Sequence, residues 1–154
     1  MTLRQMTPKD YAKAIGVGIA TAVILSLIMV PAFKAGLSPL PEPLGLAFAQ
    51  ALLGEVPLPV GLLFHVVYVT SWSAAYVVLF ERRTFLNALW LALALWVLVL
   101  VLFFPVVGWG FLGLSVSPKL IVASLVPHVL FAVVLWGLCR WAFPARSMSV
   151  KHAK

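Results

Sequence analysis

The sequence predicts an all-α membrane protein, a four-transmembrane-helix bundle occupying residues 1–154 as a single integral domain. Three observations predict it. Of 154 residues, 64% are hydrophobic and only 10% charged, where a soluble domain carries about a quarter charged. Four apolar runs are long enough to cross ~30 Å of hydrocarbon. These runs lack alternating polar positions, as Leu98-Val99-Leu100-Val101-Leu102-Phe103-Phe104 shows, so helices are expected rather than a barrel.

The first span covers 14–33. Thr7-Pro8-Lys9-Asp10 before it combines a cap, a proline for the first helical position and an acid for the first turn. Arg4, Lys9 and Lys13 preceding an apolar run resemble a signal peptide, but the run is long and reads as a retained span. Ala14, Gly18, Ala22 and Ser26 repeat every four residues. Such a stripe lets another helix approach closely, inside the bundle or between copies.

A proline-rich connection follows, with Pro39, Pro41, Pro43, Pro57 and Pro59. Within it, 44–53 reads as a short apolar helix, with Glu42 near its positive end and Gly54 beyond its last turn. Ten residues are too few to span, so an interfacial or re-entrant helix is expected. It would seal the bundle or act as a lid over a cavity.

Pro59 opens the second span, 59–80, and Thr84 caps the third, 84–107, after the Glu81-Arg82-Arg83 turn. Gly108-Trp109-Gly110 reads as a turn, and Pro118 opens the fourth span, 118–141. Pro127 cannot donate a backbone bond, so it frees a carbonyl near Ala123 and is expected to kink the fourth span. Tyr11, Trp109 and Trp141 suit interfacial belts.

Charge predicts the topology. Nine of eleven basic residues fall on one side: Arg4, Lys9 and Lys13, then Arg82 and Arg83, then Arg140, Arg146, Lys151 and Lys154. Lys34 and Lys119 lie on the other. Both termini and the short middle turn are therefore expected in the cytoplasm. The basic residues cluster at span ends without interleaved stacking aromatics, which argues against nucleic acid. The lone Cys139 excludes an internal disulfide and a cysteine metal cluster.

The spans also hint at a doubled hairpin. Val30-Pro31 has Gly36 five residues after its proline, and Phe104-Pro105 has Gly110 at the same spacing. A His-Val-aliphatic-aromatic run follows each, at His65 and His128. The second and fourth spans would then run in one direction, about an axis along the membrane normal.

Away from the span ends, where Lys119, Cys139 and Arg140 fall, His65 and His128 are the only readily ionisable side chains in the membrane-spanning runs, and polar groups in hydrocarbon often mark function. Both belong in the outer half at comparable depth. Neutral imidazoles from two helices suit a b-type haem or a transition metal. Against haem, the third span offers Val and Leu from Val97 to Leu102 with Phe103 and Phe104, a crowded wall. Against closed zinc, no Cys, Asp or Glu in the outer halves of the spans supplies further ligands. The alternative is structural, with ring nitrogens bonded to Ser26, Ser71, Ser124 or a freed carbonyl. His65, Tyr68, Trp72 and Tyr76 share approximately one helical face. Tyr68, Trp72 and Ser124 are thus candidates to line a pocket.

With Pro105, Gly108-Trp109-Gly110-Phe111 and Ser124-Leu125-Val126-Pro127-His128 in place, the chain resembles the YagU-like small bacterial inner-membrane proteins. The resemblance implies a multi-pass protein of the bacterial inner membrane and no particular activity. Three functions compete. The first is a non-enzymatic component of a membrane complex or a binder of a lipid-like molecule, in contact with the bilayer and with a membrane-protein partner or a second copy. The second is a haem or metal protein using His65 and His128. The third is a small transporter or channel. Span interiors without Asp, Glu, Lys or Arg favour the first. No nucleophile–base constellation or nucleotide loop supports an enzyme.

Overall fold

The computed structural model describes residues 6–143. Arg4, Arg146, Lys151 and Lys154 of the charge pattern lie outside the described residues. Among the described residues the regular structure is all-helical, and four helices are long and apolar enough to cross a membrane. Helix α1 is Pro8–Lys34, α2 is Leu44–Leu53, α3 is Leu58–Leu79 and α4 is Phe85–Leu98. A π-helical segment, Val99–Phe103, and a short α5, Phe104–Val106, continue α4. Helix α6 is Lys119–Ala142.

Local chemistry explains the boundaries. Helix α1 begins six residues before the expected span, because Thr7 and Asp10 form a reciprocal capping box there. The Thr84 hydroxyl accepts from the Asn87 N–H and starts α4. The short helix occupies the expected 44–53, ended at Gly54 with φ +78°. Pro127 lies inside α6, which runs unbroken past it.

Helix α1 packs against α3 and α6, α6 packs against α4, and α2 packs against α3. The small-residue stripe of α1 serves this packing. Ala14, Gly18 and Ala22 are buried, and a Cβ on Gly18 would stand 2.8 Å from the Thr70 Cα of α3. Helices α3 and α4 follow one another in sequence but do not pack closely. An exact two-fold relation between hairpins would pair α3 with α4 as α1 is paired with α6. That second interface is missing.

One end of the bundle gathers cations. Arg83 lies 4.4 Å and Lys13 5.9 Å from the centre of the Phe143 ring, and Arg140 lies 5.2 Å from that of Trp136. The start of α1, the α3–α4 turn and the end of α6 therefore meet there. Tyr76 is fully buried near this end, and its hydroxyl donates to the Thr84 carbonyl at 2.9 Å.

The apolar core falls into two clusters. One, toward the basic end, holds Ala22, Val69, Tyr76, Leu95 and Leu135 among others. The other, toward the opposite end, holds Leu40, Phe104, Trp109 and Leu120. Trp109 belongs to this second core instead of an exposed belt. It is 7% exposed, and its ring centre lies 5.3 Å from that of Phe104. Tyr11 and Trp141 are exposed, as an interfacial position requires.

Candidate ligand-binding cavity

Where α3 and α4 do not pack closely, a cavity of about 510 Å³ lies between the two core clusters. Six elements build it. Helix α3 presents His65, Tyr68 and Trp72. Helix α6 presents Pro127, His128 and Phe131, and α1 presents Leu25 and Met29. Helix α2 contributes Leu44, Gly45 and Phe48, while Leu95, Val99 and Phe103 line it from α4 and the π segment.

Two glycines bring α2 onto α3. A Cβ on Gly61 would stand 2.6 Å from the Leu46 Cα, and one on Gly45 would stand 2.5 Å from the Gly61 carbonyl oxygen. This crossing holds α2 as a wall of the cavity. Helix α2, expected either to seal the bundle or to act as a lid, is packed on α3 beside the cavity.

The π segment aims the opposite wall. In a regular α-helix, eight residues leave Phe103 ~80° away from Leu95 around the axis. The wider π turn removes most of this offset. Leu95, Val99 and Phe103 all reach the cavity, while Val97, Val101 and Leu102 are exposed on the outside. Of the crowded stretch expected of the third span, three side chains thus face outward, Val99 and Phe103 line the cavity, and Leu100 and Phe104 are buried in the core. No sequence signal marks the π turn, so Phe103 escapes a reading based on α-helical spacing.

Both histidines line this one cavity. His65 lies seven residues beyond Leu58 and His128 nine beyond Lys119, a depth difference of ~3 Å. The His128 Nδ1–H donates to the Ser124 carbonyl at 2.7 Å. That carbonyl is one residue away from the one that Pro127 is expected to free. His65 lies beside the Ala22 carbonyl, and its Nε2 is buried without a hydrogen-bond partner.

Tyr68 and Trp72 line the cavity as expected. Their rings meet edge-on at 6.3 Å between centres. The Tyr68 hydroxyl is buried and unpartnered. The nearby Trp72 indole only donates, so even a contact between them leaves the tyrosine proton without an acceptor. Tyr76, on the same expected face, is committed to the core.

Ser124 lies outside the cavity lining. It is fully buried, its hydroxyl donates to the Ile121 carbonyl at 3.1 Å, and Trp96 Nε1–H donates to the same carbonyl and to Ser124 Oγ. Ser124 thereby fixes the indole of α4 and, through its carbonyl, the ring of His128.

The lining contains no Asp, Glu, Lys or Arg. Glu55 is exposed and apart from it. Among the described residues no group of three His, Cys, Asp or Glu side chains is gathered for a metal ion. Leu63, Val67 and Ser71 lie on one exposed edge of α3 and border the cavity, which therefore opens sideways. A smaller space of about 100 Å³ adjoins at the end away from the basic cluster, with Ser26 and His65 in its wall.

The chain matches no family model, no curated protein and no solved structure. The cavity's own chemistry is the guide to function.

Proposed function

We propose that this protein is a non-enzymatic membrane protein that binds a lipid-like molecule in the cavity between α3 and α4. The observation that carries this reading is an apolar, side-opening cavity of about 510 Å³ with two buried unpartnered polar atoms, His65 Nε2 and the Tyr68 hydroxyl. The volume falls in the range of small-molecule sites. A buried polar group without a partner costs roughly 1–3 kcal/mol, so a ligand that satisfies both gains from the site. With α3 crossing a bilayer, the mouth at Leu63 and Val67 would open at the level of hydrocarbon, letting an apolar ligand enter without crossing water.

The setting we propose is the bacterial inner membrane, with both termini cytoplasmic. The basic end formed by Lys13, Arg83 and Arg140 supports that orientation.

A photoreactive long-chain alcohol tests the binding. Irradiation in nanodiscs is expected to label peptides of α3 and the π segment. Leu63→Trp should block the mouth without disturbing the core, because Leu63 is 61% exposed. Labelling spread evenly over all outward helix faces, and unchanged in that variant, would sink the proposal.

A second reading, a haem or metal protein, is favoured by one observation. His128 donates Nδ1–H to a backbone carbonyl, the arrangement that orients a ligating imidazole, and His65 shares its cavity. A visible spectrum and metal analysis of protein from native membranes decide it. A Soret band or bound metal lost in His128→Ala supports ligation, and a colourless, metal-free preparation counts against it.

A further inference from the structure

We infer that the molecule held in this cavity is an uncharged, ring-headed lipid of the quinone class, hydrogen-bonded through its ring oxygens to His65 and Tyr68. The inference rests on the lipid-binding reading and narrows it to one chemistry. Charge is the first constraint. No Lys, Arg, Asp or Glu lines the cavity, so a phosphate, carboxylate or ammonium head would enter without a fixed counter-charge, which burial penalises heavily.

Hydrogen bonding is the second constraint. The Tyr68 hydroxyl proton needs an acceptor that the Trp72 indole cannot supply, and His65, whose ring interacts with the Ala22 carbonyl, has its Nε2 outside hydrogen-bond geometry. They stand three residues apart on α3, separated by ~4.5 Å along the axis. To this pair we match a head carrying two separated oxygens on one rigid frame. Carbonyl oxygens accept from Tyr68 and from a protonated Nε2, and the hydroquinone form donates to Nε2 in its other tautomer.

Shape is the third. Six aromatic side chains line the cavity: Phe48, Phe64, Tyr68, Trp72, Phe103 and Phe131. They come from α2, α3, the π segment and α6. Aromatic walls favour a flat ring in offset or edge-on contact. The side opening at Leu63 and Val67 lets an isoprenoid or alkyl tail remain outside the bundle, so only the head need fit within.

The test is a fluorescence titration in nanodiscs of zwitterionic lipid, with a decyl-substituted benzoquinone as probe. The signal is the part of the tryptophan quenching that disappears in Trp72→Phe. Saturable quenching is expected. Tyr68→Phe, which keeps the ring, and His65→Leu should each weaken binding about tenfold. Decylbenzene, without oxygens, should bind more weakly than the quinone and equally to all three proteins. Equal affinity for decylbenzene and quinone, or no change in Tyr68→Phe, would overturn the hydrogen-bonded head. Displacement of the quinone by equimolar fatty acid or phosphatidylglycerol would overturn the uncharged class. Either result leaves the cavity reading intact if the photoreactive alcohol still labels α3. Absence of both quenching and labelling would overturn both.

Discussion

Phe48 of α2 stacks on Phe103 of the π segment, with ring centres 4.4 Å apart and planes 24° from parallel. Phe103 also meets Tyr68 of α3 edge-on at 5.8 Å. These rings bridge a gap that the backbones of α3 and α4 leave open. The cavity exists because side chains, rather than a helix–helix interface, join the two hairpins along this side.

That stack should be measurable. Phe48→Leu and Phe103→Leu combined in a double-mutant cycle are expected to show a coupling of about 0.5–1.5 kcal/mol beyond lost area. Unfolding in mixed micelles reads it. Additive effects would show that the rings touch without stabilising one another.

The α1–α3 crossing predicts a contrast between neighbouring glycines. Gly18→Ala places a methyl 2.8 Å from the Thr70 backbone, and a cost of about 1–3 kcal/mol is expected from the forced separation. A Cβ on Gly16 would meet nothing within 4 Å. Gly16→Ala should therefore stay within about 0.5 kcal/mol of the parent. Equal losses in the two variants would contradict this packing of the stripe.

Glu42, in the connection before α2, predicts a pH dependence. Burial holds its carboxyl above the usual glutamate range. The folded chain then binds this proton more tightly than the unfolded chain. This contribution to stability falls as pH rises from the usual range through the raised value, and is constant above it. Glu42→Gln should abolish that step and be the more stable protein at neutral pH. Thermal unfolding from acidic to neutral pH checks this, and parallel curves for parent and variant would refute it.

Much of the site was legible before any tertiary contact. Apolar run length placed four spans and the 44–53 helix, because hydrocarbon thickness and internal backbone bonding leave few alternatives. Polarity singled out His65 and His128, and helical spacing joined Tyr68 and Trp72 to His65. Ser124 and Tyr76 show where that reasoning stops. Each has a suitable residue type and approximate face, yet a nearby backbone carbonyl accepts its hydroxyl proton. Trp109 likewise lies at a span end, but folds under the turn onto Phe104.

The sequence by itself determined the helical class, the four long apolar helices among the described residues and which polar groups lie among them. Those properties follow from composition and from rise per residue, which act locally. Only the tertiary structure decided that both histidines share one cavity, that α2 forms its wall and that Phe103 turns into it. These depend on two glycines permitting a close crossing, on a π turn that rotates a helix face, and on α3 and α4 not packing along their length. Each is a relation between segments, so no single stretch of residues encodes it.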